Sequence, residues 1–210
     1  MSREESLIIK GVAILLMLFY HLFNRSDYVD MCQSIMYIGD TPLVHILTKA
    51  ANPVAFFIML SGYGLYISHN KGPYNVWQKV KKLYIHYWIT LMIFVPIGFF
   101  VIGSYKYPGN LNNIIGNIIG WNVSYNGEIW FLLPYTILML GSSFIIKILD
   151  MRSPKLCIVV SFIISLGCGW LIPRNDLVFI HICLLVGTFL GAFTLGVYMS
   201  KYQIFNGGGG

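Results

Sequence analysis

The sequence predicts an all-α protein, a polytopic transmembrane bundle of about six spanning helices with one further amphipathic helix at the interface. Of its 210 residues, 57% are hydrophobic and only 10% are charged. Soluble domains carry about 25% charged residues, so a soluble globular protein is the first class excluded. The mean hydropathy of +0.70 indicates the same. In such a chain, the net charge of +6 is interpreted as a signal of membrane orientation, and we expect no nucleic-acid partner.

Six apolar runs are long enough to cross about 30 Å of hydrocarbon. They cover residues 7–23, 50–68, 83–104, 130–149, 156–172 and 177–199. No polar block separates them, so we predict one domain over 1–206 that takes the lipid bilayer as its solvent. The glycine tail at 207–210 is interpreted as an artefact or an unassigned stretch. The first run is too long for a signal peptide and lacks a cleavage site, so we expect it to stay as a helix.

A shorter periodic segment lies between the third and fourth runs. In "LNNIIGNIIGW" the apolar positions follow the spacing i, i+3, i+4, i+7, i+8, which is one face of a helix. They are Leu111, Ile114, Ile115, Ile118 and Ile119, and the other face carries Asn112, Asn113 and Asn117. The pattern predicts a short amphipathic helix that lies in the membrane interface or dips into it.

The basic residues predict the orientation of the bundle. If the N-terminus is cytoplasmic, ten of the fourteen Lys and Arg residues fall on the cytoplasmic side. The segment "NKGPYNVWQKVKK" at 70–82 contributes four of them. Because cytoplasmic segments of membrane proteins are enriched in Lys and Arg, we predict a multi-pass protein with its N-terminus inside.

Two ionisable residues lie within the first apolar run. Lys10 and His21 are eleven positions apart, which at about 100° per residue places both on one face of a helix, about 16 Å apart. Two interpretations stay open. Lys10 could snorkel to the headgroups while His21 hydrogen-bonds at the opposite interface. Alternatively, the two could line one polar passage through the bundle, because ionisable residues inside a membrane usually serve a function.

Metal and nucleotide motifs are missing from the sequence. It contains no C-x-x-C, no Cys and His spacing for zinc, no G-x-S-x-G, no P-loop and no dinucleotide fingerprint. We therefore expect no metal.

Five fragments of the chain, in order, resemble the membrane-bound family known as acyltransferase 3. They are "IKGVAILLMLFYHLF", with a basic residue, ten residues and a histidine, "PVAFFIMLSGYGLYIS", "VWQKVKKLYIHYW", "EIWFLLPYTILML" and "LGVYMSKY". Lysines stand where the family usually has arginines, at Lys10 and in the cluster of Lys79, Lys81 and Lys82, and a lysine lacks the bidentate fork of arginine. The chain is also shorter than usual. We therefore expect a truncated or degenerate member, completed by further C-terminal helices or by a partner subunit.

The resemblance implies a membrane O-acyltransferase of the bacterial inner membrane. Its donor would be a cytoplasmic acyl-CoA, most simply acetyl-CoA, and its acceptor a hydroxyl of an extracytoplasmic sugar, polysaccharide or glycolipid. On this basis His21 is the predicted general base, because an imidazole has an ordinary pKa of about 6.5. Ser61, or a backbone N–H near Gly62, would stabilise the oxyanion. Lys10 would hold the pantetheine-phosphate end of the donor or polarise a carbonyl.

Further residues are predicted to bind the two substrates. Lys79, Lys81 and Lys82 would hold the nucleotide end of coenzyme A, although a basic cytoplasmic segment would show the same residues for topology. Glu128 could orient His21, bind the acceptor, or be a solvated loop acid. Trp130 is either part of the acceptor site or an ordinary interface anchor.

Two competing classes of function stay open at this level. A transporter or flippase for a glycan or an acyl donor would use the same polar stripe without needing His21 as a base. A non-catalytic membrane scaffold would need neither. Release of coenzyme A by the purified protein separates the enzyme from both.

Overall fold

The structure, a computed structural model, describes residues 3–24, 33–50, 53–72, 75–172 and 177–204. Its elements, in chain order, are α1 (Arg3–Phe23), β1 (Tyr37–Ile38), β2 (Thr41–Pro42), α2 (Leu43–Ala50), α3 (Pro53–Asn70), α4 (Val76–Val101), α5 (Leu111–Ile119), a 3-10 turn (Gly127–Ile129), α6 (Leu132–Met151), α7 (Pro154–Leu171) and α8 (Val178–Lys201). The two strands form only a small antiparallel hairpin, so the predicted all-α class is confirmed. The glycine tail at 207–210, and two of the basic residues used for orientation, Arg25 and Arg174, lie outside the described residues.

Within these residues, five stretches are long and apolar enough to cross a membrane. They are Leu43–Asn70, Val76–Val101, Gly127–Met151, Pro154–Leu171 and Val178–Lys201. The remaining predicted span, the first at 7–23, corresponds to α1, whose apolar part is the shorter stretch Leu7–Phe23. The polytopic class therefore holds, with α1 at the lower end of the length that a bilayer requires.

Helix α8 lies at the centre of the bundle. It packs against α3, α6 and α7, while α1 packs against α2 and α3, and α4 packs against α6. The core is formed by buried apolar side chains from α3, α4, α6 and α8: Ile58, Leu65, Val80, Leu138, Met139, Ile146, Leu149, Phe189, Phe193 and Val197. The outward faces of α4 and α7 remain apolar, as expected of helices that face lipid.

Glycines bring α3 and α8 close together. A Cβ atom added at Gly62 would collide with the backbone carbonyl of Phe193, and one added at Gly196 would collide with that of Met59. Small residues allow this close approach. The van der Waals contact that results stabilises helix association in a membrane, where the hydrophobic effect does not drive it. Gly64 differs, because no described atom lies within 4 Å of its Cβ position. Of these two glycines of α3, Gly62 is therefore needed for close helix packing and Gly64 is not.

A second glycine pair joins α7 and α8. Cβ atoms at Gly187 and Gly191 would collide with the side chains of Cys168 and Ser165. The Ser165 hydroxyl donates a hydrogen bond to the Gly187 carbonyl at 3.0 Å and accepts one from the Gly191 N–H at 2.8 Å. The hydroxyl thus bridges the two helices at the point where the glycines bring them together.

Helix α4 begins seven residues before the predicted start of the third span. The cause is a cap at Asn75, whose Oδ1 accepts a hydrogen bond from the Gln78 N–H at 3.3 Å. The predicted boundary at residue 83 is therefore wrong. Lys79, Lys81 and Lys82 belong to the first turns of a helix and not to a loop, so their helical spacing decides which way each side chain points.

The predicted interfacial helix is present as α5; on its polar side Asn117 faces inward, while Asn112 is exposed. Asn117 is 1% exposed, whereas Leu111 is 68% and Ile115 48% exposed. The buried Asn117 amide donates to the Asn113 carbonyl at 2.7 Å and to the Ser124 hydroxyl at 2.9 Å. Its apolar side is left for the hydrocarbon, which is the arrangement that a segment inside a membrane needs.

Side chains of α4 bind the last carbonyls of α5. Tyr87 O–H donates to Asn117 O at 2.6 Å, Trp88 Nε1–H to Ile118 O at 2.9 Å, and Tyr84 O–H to Ile119 O at 2.8 Å. The Asn117 carbonyl also accepts from the Gly120 N–H at 3.1 Å, whereas the end of a helix leaves carbonyls such as those of Ile118 and Ile119 unpaired, and these are costly away from water. The three donors lie about 12–18 Å along α4 from its first residue, at 1.5 Å per residue. This depth along α4 favours the second of the two placements predicted for α5, in which the helix dips into the bundle.

Candidate functional site

His21 lies in the wall of a pocket of about 980 Å³. We call it the His21 pocket. It is enclosed by α1, α3, α7, α8 and the segment before α6, and its polar or aromatic lining includes Tyr20, His21, Asn24, Glu128, Trp130 and Thr188. His21 and Asn24 are three residues apart at the end of α1, so their side chains face the same way. The structure therefore brings together three residues predicted or considered for the acceptor side: His21, Glu128 and Trp130.

Glu128 faces His21 across this pocket. The distance from His21 Nδ1 to Glu128 Oε2 is 3.6 Å, with 39% of the histidine side chain and 66% of the glutamate side chain exposed. This is longer than a hydrogen bond and within ion-pair range for a protonated imidazole. Glu128 is held in a short 3-10 turn, where its N–H donates to the Asn126 side chain at 3.0 Å. The carboxylate can therefore stabilise positive charge on the His21 ring.

The helix end that carries His21 is fixed by α2. The His45 ring donates from Nδ1 to the Phe23 carbonyl at 3.1 Å, and the Thr48 hydroxyl lies 3.4 Å from the same oxygen. These side chains pair a carbonyl that the end of α1 would otherwise leave unsatisfied. Sequence analysis did not predict α2, which lies in the loop expected between the first two spans.

Trp130 forms part of the wall opposite α1. Its ring packs against Phe189 of α8, with ring centroids 5.7 Å apart and an interplanar angle of 34°. It is 37% exposed. The indole therefore presents one surface to the pocket, while α8 supports the other. This packing suits both roles considered for Trp130, contact with a substrate and anchoring at the interface.

A second pocket, of about 580 Å³, contains the predicted cations. We call it the Lys10 pocket. Its lining includes Lys10, Ser61, Lys79, Lys82, His86 and Tyr135. Lys79 Nζ donates to the Ser68 hydroxyl of α3 at 2.7 Å, which fixes its ammonium group near α3. Three lysines from two helices thus meet around one volume.

Lys81 is separated from the other two lysines of its cluster. It is exposed and is not among the described residues that line the Lys10 pocket. On a helix, Lys79 and Lys82 are neighbours three positions apart, whereas Lys81 projects from a different face. The predicted set of three lysines is therefore brought together only in part.

Ser61 lies with Lys10 and not with His21. Its hydroxyl is 2.6 Å from the Tyr135 hydroxyl of α6, and both line the Lys10 pocket. Val54 of the same helix lines the His21 pocket, and seven residues of helix separate the two levels by about 10 Å. Ser61 is therefore not among the described residues that line the His21 pocket, and its role as oxyanion donor stays a prediction.

A central pocket of about 360 Å³ adjoins the other two. It shares Met17, Val54 and Phe131 with the His21 pocket. It shares Ile14, Phe57 and Tyr135 with the Lys10 pocket. The face of α1 that carries Lys10 and His21 thus follows a series of adjoining pockets. The series is polar at its two ends and apolar in the middle, which differs from the uniformly polar passage considered from the sequence.

Residues 7–206 match the sequence profile of acyltransferase family 3, described as an acyltransferase domain. The chain belongs to this family. The match covers nearly the whole chain and confirms the resemblance seen in the five fragments, so the protein is a membrane acyltransferase. Neither the curated proteins nor the solved structures give a match to this acyltransferase.

A hydrogen-bonded loop supports Glu128 in this acyltransferase. Tyr107 O–H donates to Tyr125 O at 2.8 Å, and Tyr125 O–H donates to Pro108 O at 2.6 Å. Burial, together with the neighbouring Tyr107, raises the pKa of Tyr125. The Tyr125 N–H also donates to the Asn117 side chain at 3.2 Å. The loop that ends in Glu128 is thereby tied to α5.

Three lining residues of the acyltransferase were missed by sequence reasoning. Asn24 and His86 gave no signal beyond their polarity, although each lies three or four residues from a residue already singled out, His21 or Lys82. Tyr135 could not be assigned, because its partner Ser61 lies 74 residues away. In the described part of the chain, no three His, Cys, Asp or Glu side chains gather as metal ligands.

Proposed function

We propose that this acyltransferase moves an acyl group, most simply acetyl, from cytoplasmic acyl-CoA to a hydroxyl of an extracytoplasmic sugar, polysaccharide or glycolipid. We place it in a bacterial inner membrane with its N-terminus inside. The observation that carries the proposal is the His21–Glu128 pair at one end of a series of pockets whose other end holds three lysines. One end suits proton transfer, and the other suits an anionic donor.

The donor would bind at the Lys10 pocket. Coenzyme A carries several phosphate charges, and Lys10, Lys79 and Lys82 supply cations around that volume. As lysines they act as point charges and not as bidentate clamps, so they would attract phosphates without fixing their geometry closely. Lys81, which was predicted to join this set, is left out of the proposal because of its position on α4.

His21 would act as general base on the acceptor. As the hydroxyl oxygen attacks the thioester carbonyl carbon, Nε2 of His21 takes the hydroxyl proton, and the Glu128 carboxylate near Nδ1 stabilises the resulting imidazolium. The Asn24 amide, three residues further on the same face, would donate to the oxyanion in place of Ser61. The tetrahedral intermediate then collapses, the carbon–sulfur bond breaks, and the leaving thiolate takes the proton from His21.

Transfer can be tested with purified protein in proteoliposomes. Acetyl-CoA is supplied on one side and a hydroxyl-bearing glycan fraction on the other, and coenzyme A release is measured together with acetylation of the glycan. His21→Ala should lower the rate by about 10²–10⁴-fold. His21→Gln should be almost as inactive, because an amide keeps a hydrogen bond but does not accept the proton.

His181→Ala is the matched control, since His181 is a half-buried histidine that is not among the residues lining the three pockets. It should keep the wild-type rate. A His21→Ala variant that retains most of the transfer rate would contradict the proposal. Movement of acetyl-CoA or glycan across the membrane without thioester cleavage would instead support a transporter, and neither activity would support a scaffold.

A further inference from the structure

The central pocket differs in chemistry from the two pockets that it adjoins. Apart from the Tyr135 hydroxyl, it is lined by apolar side chains of α1, α3 and the start of α6. The His21 and Lys10 pockets both carry charged side chains. Since the proposed function places the thioester carbon at His21 and the phosphates at the lysines, the donor would have to lie across this apolar section.

The section discriminates between the parts of such a donor. A phosphate that entered it would lose its water and find no cation among the lining residues, which costs far more than any contact there returns. An acyl chain loses nothing on leaving water and gains about 0.8 kcal/mol per buried CH₂. The nucleotide is therefore retained on the lysine side, and only the uncharged arm with its acyl group passes.

We propose, on the basis of the function proposed above, that the central pocket is the acyl-selectivity site. Phe57 and Met17 are its specificity-determining residues. Phe57 of α3 lines both the central pocket and the Lys10 pocket, and Met17 of α1 lines both the central pocket and the His21 pocket. The two side chains therefore stand at the two ends of the section that the acyl group must pass to reach His21, and they limit the size of acyl group that can pass.

The chain offers a matched pair of phenylalanines for the test. Phe57 lines the central pocket, whereas its neighbour Phe56 is not among the residues that line any of the three. In Phe57→Ala, the ratio of kcat/KM for hexanoyl-CoA to that for acetyl-CoA should rise by at least about tenfold, since a hydrophobic site discriminates a methylene by about 10–200-fold. Phe56→Ala should keep the wild-type ratio. Met17→Trp should lower this ratio, because kcat/KM should fall less for acetyl-CoA than for hexanoyl-CoA.

A labelling experiment tests the same site without relying on turnover. Met17→Cys is introduced after the four native cysteines are replaced by alanine, and alkylation by a small uncharged maleimide is followed. A non-hydrolysable thioether analogue of hexanoyl-CoA should protect Cys at this position, while adenosine 3′,5′-bisphosphate should not. Protection by both compounds to the same extent, or protection by neither compound, would overturn the assignment.

The outcomes separate the two proposals. If the wild type releases coenzyme A from no acyl donor while the glycan is present, the proposed function fails. If it transfers acetyl normally but the hexanoyl-to-acetyl ratio of Phe57→Ala equals that of Phe56→Ala, the selectivity site fails and the function stands. Should Phe57→Ala not fold, Met17→Trp and the labelling of Met17→Cys decide the question.

Discussion

The Nδ1 atom of His21 lies 3.6 Å from Oε2 of Glu128, which joins the end of α1 to the 3-10 turn before α6. If Glu128 orients the imidazole and stabilises its protonated form, Glu128→Gln should lower kcat about 10–100-fold, the cost seen for partners that orient metal-ligating histidines. The KM for the acyl donor should change little. Steady-state kinetics of coenzyme A release measure both.

The control for this variant is Glu4→Gln. Glu4 is exposed in the first turn of the same helix that carries His21, and its loss should leave kcat unchanged. Wild-type kcat in Glu128→Gln would return Glu128 to a solvated loop acid. A change confined to the KM for the acceptor would assign it to acceptor binding instead.

Replacing Lys79 and Lys82 together by glutamine should raise the KM for acyl-CoA more than it lowers kcat. Phosphate contacts remote from the reacting carbon act equally on ground and transition states. The donor affinity of the wild type should also fall with added salt, since exposed charges are screened over about 8 Å at physiological ionic strength. Lys81→Gln, on the same helix and outside the Lys10 pocket, should keep both parameters. Equal effects of all three lysines would indicate a role in topology only.

Substitution at the glycine contact between α3 and α8 should destabilise the bundle. Gly196→Ala places a methyl group against the Met59 carbonyl, so the helices must separate, at a cost of about 1–3 kcal/mol. Gly64→Ala on α3 adds the same methyl where no described atom lies within 4 Å. Thermal unfolding in detergent, followed by circular dichroism, should show a lower midpoint for Gly196→Ala alone. Equal midpoints would mean that the two helices do not pack as closely as described.

The proposed orientation predicts which segments an impermeant maleimide can reach. In intact cells that carry a cysteine-free background, Lys106→Cys, in the loop after α4, should be labelled from outside. Lys71→Cys, between α3 and α4, should be labelled only after the membrane is opened. The reverse pattern would place the lysines of the Lys10 pocket outside. It would therefore contradict the proposal that a cytoplasmic acyl-CoA binds there.

Much of the fold follows from periodicity and length, which are local properties of the chain. A helix was predicted within the segment 111–121 because its apolar spacing is regular, and the structure gives α5 the bounds Leu111–Ile119. The start of α4 was missed because hydropathy does not register a helix turn that carries three lysines. Helix α2 was missed because an eight-residue helix is too short to give a membrane signal.

The site was predictable only along single helices. Lys10 and His21 share a face because helical spacing requires it, and the structure places both on the same series of pockets. The meeting of His21 with Glu128 was considered from the sequence but could not be decided, because it depends on how a loop folds. Ser61 lines the Lys10 pocket and not the His21 pocket, which could not be foreseen, since sequence gives the order of residues along a helix but not the depth of the reacting atoms; its role stays a prediction.

The bonds from α4 to the end of α5 have a consequence for biogenesis. Alone in lipid, this segment would expose the Ile118 and Ile119 carbonyls to hydrocarbon, and each unsatisfied group costs several kcal/mol. It becomes stable only once Tyr84 and Trp88 are in place to receive it. Helix α4 must therefore insert into the membrane before α5 packs against it. The elements of this bundle are thus assembled in a fixed order.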